Sequence, residues 1–320
     1  MAASDALRKS RDAIVDPGDD APYPLHATMP DFPTYSIVPQ QDIENRLWHW
    51  DAWVIPYIAV PSLLQPLGFR VAWDKSSATL TVGTAAALTL NRPSLDQFKT
   101  ELKDVIADAE LREDRASEIL MQVSDTWSFW ATILPVGPGK TPATWRLMTI
   151  AQQLALHVEM RFKHELACAR PDEYSAQVQP MIRTPGHGSY PMGHMCEAVL
   201  TARLLAELTK PRKTMPAWDG LQQQLLKLAE RIGENRIVAG LHFQVDLHAG
   251  RAVGDWLGNY FSQACQLEIT GDIPFQHIEF DPLAPTVPKT GPTVEALLTP
   301  NDVLSTLWRA ARKEWEWLNA

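Results

Sequence analysis

A mainly α-helical single domain is the fold class this sequence predicts, and three observations predict it. Apolar residues recur at helical spacing through most of residues 94–261, an amphipathic segment with its own start signals closes the chain, and the composition supports a core without crosslinks. The 320 residues are 45% hydrophobic and 21% charged, a globular balance that excludes disorder of the whole chain. Residues 1–40 hold six prolines and little periodic pattern, so they are expected to form a Pro-rich tail ahead of a helical domain over 41–320.

Taken in order, Ile43 to Val60 is dense in aromatics (Trp48, Trp50, Trp53, Tyr57), expected in the core. Between Gly68 and Leu90, β-branched alternation predicts one short β-hairpin. Ser94 to Leu120 places Phe98, Leu102, Val105 and Ile106 at helical spacing. Trp127 to Leu134 is a second apolar piece. Pro142 to Ala169 predicts a long helix with Leu147, Ile150, Leu154 and His157 along one side. Pro191 to Leu208 predicts another, and Leu221 to Phe261 is long enough for two. A connector carrying Pro282, Pro285, Pro288 and Pro292 precedes a last helix over 300–318. There Thr299 is the expected N-cap, Pro300 the first helical residue and Asp302 part of the first turn. Leu304, Leu307, Trp308, Ala311 and Trp315 give it one apolar face, to dock on the core or on a partner chain.

Charge and cysteine usage narrow the function classes. Twenty-nine Lys and Arg against 38 Asp and Glu give a formal net charge of −9, which excludes a global basic field for nucleic acid. Cys168, Cys196 and Cys265 have no paired short spacing, so neither a disulfide scaffold nor a four-cysteine zinc site is expected, and a reducing compartment suits them. The most apolar stretch, Trp53 to Phe69, is broken by Pro56, Pro61, Gln65 and Pro66, short of the roughly 20 clean residues of a membrane span. With no apolar run at the N-terminus, the expectation is a protein that is not integral to the membrane and sits in the cytoplasm. Homo-oligomerisation is left open.

Three blocks carry chemistry. In the first, Lys163 and Arg170 are seven residues apart, about 700° on a helix, so they project from nearly the same side; Pro171 sets Arg170 at a helix end. Alone, this block reads first as a solvated cationic face. In the second, Thr184-Pro-Gly-His187-Gly-Ser-Tyr-Pro191-Met192-Gly193-His194, a helix starts at or just after Pro191. Its unsatisfied N–H groups make an anion site that Gly193 opens to close approach and that His194 can serve with a proton. Alone, it is equally a turn with histidines. In the third, His242 and Asp246 are four apart, so on a helix a carboxylate accepts the Nδ1 proton and leaves Nε2 free. Arg236 lies about 240° round a regular helix from His242 and must reach around or sit in an irregular turn. A half-buried His–Asp seam is the plain alternative. Together, three cations, two histidines, a carboxylate and a backbone nest in an acidic chain call for a local anionic ligand.

These blocks resemble the shared signature of the type 2 phosphatidic acid phosphatases and vanadium-dependent haloperoxidases: Lys, six residues, Arg-Pro; Pro-Ser-Gly-His; Ser-Arg, five residues, His, three residues, Asp. The matching positions are Lys163, Arg170 and Pro171; Pro191, Gly193 and His194; Arg236, His242 and Asp246. The likeness covers residues 163–246 and implies a helical bundle of that type. Two positions depart, Met192 and Asn235 standing where the family has Ser. A thioether cannot donate the hydrogen bond of the family's hydroxyl, a loss of about 1–3 kcal/mol to oxyanion binding if nothing replaces it.

By resemblance, Lys163, Arg170, Gly193 and Arg236 hold the oxygens of phosphate or vanadate, His242 bonds phosphorus or vanadium, His194 acts as general acid and base, and Asp246 orients His242. The lead expectation is a vanadate-dependent haloperoxidase that oxidises halide with hydrogen peroxide, because His187 stands where bromide-oxidising members resemble one another in a second histidine. Met160, where haloperoxidases carry Trp, speaks against it. The alternatives are an acid phosphatase acting on phosphomonoesters through a phosphohistidine, with no cofactor, and a degenerate oxyanion-binding member whose Trp308 and Trp315 offer an interface.

Overall fold

The longest patterned segment of the sequence becomes the helix on which both the site and the C-terminus depend. A computed structural model describes residues 47, 48, 50–211, 216–286 and 288–319; the Pro-rich segment 1–40 lies outside the described residues. In chain order the elements are α1 Pro56–Leu64, β1 Leu67–Val71, β2 Ser77–Val82, β3 Ala85–Asn91, α2 Leu95–Asp108, α3 Arg112–Met121, α4 Trp127–Trp130, α5 Pro142–Leu166, α6 Pro171–Tyr174, α7 Gly193–Thr209, α8 Pro216–Val238, α9 Gln244–Gln266, β4 Gly271–Phe280, β5 Lys289–Leu298 and α10 Asp302–Glu314.

Mainly α holds, but a single hairpin understates the β content. The strands form one five-stranded sheet in the order β1-β2-β3-β4-β5. Neighbours are antiparallel except β3 and β4, which run parallel over Leu88–Leu90 and Ile278–Phe280. The expected Pro-rich connector is therefore part of a second hairpin. Its prolines are tolerated for positional reasons: Pro292 lies on the edge strand β5, and Pro274 lies in β4 before the stretch that pairs with β3.

Helix starts follow local chemistry. Ser94 caps α2 by accepting from Gln97 N–H at 3.2 Å. Pro142 opens α5, whose first N–H groups are capped from afar: Glu314 accepts from Ala143 N–H at 2.7 Å and Thr144 N–H at 2.9 Å, and Trp315 Nε1 donates to Thr144 Oγ1. The last helix is thereby docked on the core. Trp308 and Trp315 are buried, so the interface expected of them is already occupied by this chain. Its N-cap is Asn301, which accepts from Leu304 N–H at 3.1 Å, and not Thr299; the helix starts two residues later than the Pro300 signal suggested. Trp53 and Tyr57, expected in the core, are 65% and 73% exposed. His157 is exposed too, bonded to its own helix at Gln153 O.

The central helix is α7, packed against α5, α8 and α9. Glycines set the closest approach. A β-carbon at Gly254 would meet Cys196 O at 2.5 Å, one at Gly258 the Arg203 Cβ at 2.7 Å, and one at Gly250 would collide with Met192 O. This seam runs to the N-terminal ends of α7 and α9, bringing Gly193 and Asp246 to one place. Cys168, Cys196 and Cys265 are free and buried, and among the described residues no helix is long and apolar enough to cross a membrane.

Replacing Gly254 by Val should therefore force α7 and α9 apart. Overpacking outweighs the gain in helix propensity, and a net loss of about 2 kcal/mol is expected in urea unfolding. An unchanged or raised midpoint would contradict the close-packed seam.

Candidate active site

Arg236 reaches the site because α8 ends just beyond it. The chain turns at Gly240, whose φ of +84° suits glycine, and Arg112 clasps the turn by donating to Val238 O, Gln179 O and Val178 O at 2.8–2.9 Å. His242 consequently sits before α9, not on it, and Asp246 in that helix's first turn. This break removes the angular problem that a continuous helix posed for Arg236 and His242.

Asp246 is fully buried and gathers donors. Its Oδ2 accepts from Phe243 N–H at 2.8 Å, from His242 Nδ1 at 3.1 Å and, in a short contact, from the Ser189 hydroxyl. Its backbone carbonyl accepts from Met192 N–H at 2.9 Å, tying the start of α7 to α9. On the far side of the ring, His242 Nε2 meets Arg170 Nη1 at 3.2 Å. A guanidinium only donates, so Nε2 is the acceptor and Nδ1 carries the proton. Burial, then the charges of Arg170 and Lys163, hold the His242 pKa well below its usual value. The result is a neutral imidazole with its lone pair on Nε2.

The cations differ in how much of their hydrogen-bonding capacity is free. Lys163 Nζ donates to Gly188 O at 3.2 Å, Ser189 O at 3.0 Å and Pro191 O. Three carbonyls match its three protons. Arg170 donates Nε to His187 O, Nη1 to Leu241 O and His242 Nε2, and Nη2 to His187 Nδ1 and Gly188 O. Arg236 is the exception. Its Nη2 donates to Ile119 O at 3.0 Å and Gln122 Oε1 at 3.2 Å, while its Nε and Nη1 are buried without a partner. Burial brings its pKa down to about 10, so it stays a cation at neutral pH. Orphaned cationic donors inside a protein are the expected signature of an anion site.

His194, in the first turn of α7, meets Gln122 O at 3.2 Å through Nε2; a carbonyl only accepts, so Nε2 carries the proton and Nδ1 is the acceptor. Burial, then Arg236, lowers its pKa to about 4. The N–H groups of Gly193 and its neighbours have no intrahelical partner. Gln122 joins Arg236 to His194, Arg170 meets His242, and Lys163 holds the loop whose Ser189 meets Asp246, so contacts link the sequence-predicted residues into one cluster. His187 is the outlying member, exposed on a loop whose residues line a surface hollow of about 440 Å³ with Cys168, Glu173 and Gly188.

Four contributors were missed by the sequence reading. Ser189 holds Asp246 and lies 3.3 Å from His242 Nδ1; its place within the second block was the available signal. Gln122, buried at the end of α3, bridges Arg236 and His194, and Arg112 fixes the turn; neither has a signal at the sequence level. Glu159 lies one turn before Lys163 on the buried face of α5; Lys163 and Arg170 are buried as well, so the solvated cationic face expected of that block alone does not hold. Asn235 donates to Glu118 and Gln122, supporting the wall instead of replacing a hydroxyl.

No family model matches the chain. It is 29% identical over 133 residues to a non-specific acid phosphatase of Salmonella typhimurium, covering 37% of this chain and 46% of the relative. A non-specific acid phosphatase of Salmonella typhi is 28% identical over 132 residues, with the same coverage. The chain thus spans about half the length of the curated relatives it matches. Among solved structures, the first transmembrane PAP2 type phosphatidylglycerolphosphate phosphatase from Bacillus subtilis aligns with 53% of this chain and 85% of its own at 18% identity, with a TM-score of 0.39.

Burial raises the Asp246 pKa from 3.8 to about 6, against the pull of Ser189 and Phe243 N–H. A carboxyl with a raised folded-state pKa stabilises the fold while protonated, fully below 3.8, and this contribution is lost as the pH climbs to about 6. The stability of the wild type relative to Asp246→Asn should therefore fall between about pH 4 and 6 in urea titrations. A difference that is flat or rises across that interval would show the carboxyl is not held this way.

Proposed function

Because this chain belongs to the superfamily of type 2 phosphatidic acid phosphatases and vanadium-dependent haloperoxidases, we propose that it is a phosphomonoesterase working through a phosphohistidine at His242. The observation that carries this reading is the pairing of an acceptor Nε2 on a neutral, buried His242 with the unpartnered Nε and Nη1 of Arg236, which Gln122 joins to His194 and whose backbone carbonyl accepts from Leu241 N–H. Nucleophile and oxyanion donors are then both ready before substrate arrives.

In the first step the Nε2 lone pair of His242 attacks phosphorus and the ester P–O bond breaks in line. Charge on the equatorial oxygens falls to Arg236, to the Gly193 N–H and to Arg170, whose Nη1 moves from Nε2 to an oxygen as the new bond forms. As the ring becomes cationic, Asp246 stabilises it through Nδ1–H. His194 delivers a proton to the leaving alkoxide; its low pKa in the free site rises beside a phosphate dianion, an effect opposite in sign to that of Arg236. In the second step water attacks the phosphohistidine with His194 as base, and His242 leaves neutral. Lys163 acts as a positioning residue, holding the three carbonyls of residues 188, 189 and 191.

This replaces halide oxidation as the leading reading, since the relatives matched by the sequence are described as acid phosphatases. Vanadate carries the same oxygens, and the orphaned Arg236 donors fit it as they fit phosphate. His242, Arg236 and Arg170 would hold it, and when bound it supplies activation of peroxide.

The purified chain should hydrolyse p-nitrophenyl phosphate, with vanadate as an inhibitor and an acid-labile phosphoprotein after rapid quench. His242→Ala should lose at least about a thousandfold in kcat and all label, and Arg236→Ala should lose roughly a hundredfold in kcat/KM. Bromide oxidation by vanadate-loaded protein without any hydrolysis would overturn the proposal, as would full activity in His242→Ala.

A further inference from the structure

The carboxyl of Glu159 plays no part in the mechanism above, yet it touches the backbone that the mechanism uses. It is 4% exposed. A β-carbon placed on Gly193 would collide with its Oε1 and lie 2.9 Å from its Cδ, so only glycine lets this carboxyl reach the first residue of α7. Its Oε2 is buried and has no hydrogen-bond partner. An unpartnered carboxyl oxygen thus stands beside the Cα of Gly193, the residue whose N–H is assigned to a phosphoryl oxygen, at the helix start where Met192 stands in place of the family's hydroxyl.

Its surroundings favour the acid form. Lys163, one turn along α5, has its protons on three carbonyls. From α7 it faces Glu197 and the thiol of Cys196; Glu197 is half-buried and, among the described residues, receives Gln152 Nε2 at 3.4 Å. Burial first, then the charge of Glu197, pushes Glu159 well above the carboxylate range, with Lys163 opposing. Two neighbouring carboxyls, Glu159 buried and Glu197 half-buried, share one ammonium and keep at least one proton between them.

We propose that the carboxylic acid of Glu159 donates to the bound phosphoryl oxygen the hydrogen bond that Met192 cannot, and that above the pH at which Glu159 ionises in the free protein the dianion is bound together with one proton from solvent. This deepens the phosphatase reading and rests on it for the identity of the ligand. An ionised Glu159 would repel the dianion, whereas the neutral acid gives a charge-assisted hydrogen bond. Binding is therefore linked to one proton, and affinity falls by up to about tenfold per pH unit once Glu159 is ionised in the free protein.

Calorimetry with inorganic phosphate, run on the full chain in two buffers of different ionisation enthalpy, counts that proton. Glu159→Gln keeps a donor at every pH, so it should bind phosphate at acid pH as the wild type does, yet at alkaline pH take up close to one proton fewer and lose its share of the alkaline decline. Ionisation of the phosphate itself, and of Glu197, Lys163, His194 and Asp246, is common to both proteins. Glu159→Leu should weaken binding roughly tenfold, and adding Met192→Ser should restore most of it, although Met192→Ser alone gains little. Equal proton counts in wild type and Glu159→Gln at alkaline pH, or no recovery in the Leu/Ser double variant, would overturn the inference, as would absence of phosphate binding by the wild type. Phosphate binding with the expected linkage but no ester hydrolysis would sink the phosphatase reading and leave the role of Glu159 standing. Hydrolysis with unlinked binding would do the reverse.

Discussion

One buried carboxylate side chain organises this molecule's reactive end. Asp246 caps α9 through Phe243 N–H, fixes the tautomer of His242, receives the hydroxyl of Ser189, and through its backbone carbonyl holds Met192 N–H at the head of α7. Two segments distant in sequence, residues 189–192 and 242–246, meet at one residue with no exposure to water. Moving any of them displaces either the lone pair on His242 or the amide groups of Gly193. The small-residue seam between α7 and α9 exists to let these helix ends approach so closely.

Burying Lys163, Arg170 and Arg236 in a chain of net charge −9 is costly unless each cation finds compensation. Lys163 and Arg170 find it in backbone carbonyls of residues 187–191 and 241, so they work as clamps that stiffen the loop in front of α7. Arg236 is compensated only on one side of its guanidinium. The division of labour follows from counting donors: Lys163 builds the wall, Arg170 both clamps the loop and has Nη1 on the nucleophile, and Arg236 holds donors that are idle until charge arrives.

The site was more legible in the sequence than the fold around it. Lys163, Arg170, His194, Arg236, His242 and Asp246 announce themselves because charged and imidazole side chains at fixed helical or turn spacing have few purposes in an acidic chain. Ser189, Gln122 and Glu159 did not, because each acts through a contact made across the chain, and a glutamate on an apolar helix face leaves no periodic trace of the carboxyl it will face. The second hairpin was hidden for a different reason. Prolines such as Pro274 and Pro292 argue against a strand unless its free edge is known, and that knowledge is tertiary. Likewise the cap of α10 shifted from Thr299 to Asn301, a choice between neighbouring acceptors that packing decides.

The sheet joins the two ends of the signature-bearing region. Strand β3 meets β4 in parallel, with Asn91 Nδ2 donating to Glu279 across 188 positions of chain. During synthesis the first three strands and the helices that follow emerge long before their partner does. Closing so large a loop is entropically slow, and until it closes the growing chain displays a bare strand margin that invites association with other chains. Folding of the molecule therefore completes only once β4 seals that margin and α10 caps the helix that carries Lys163.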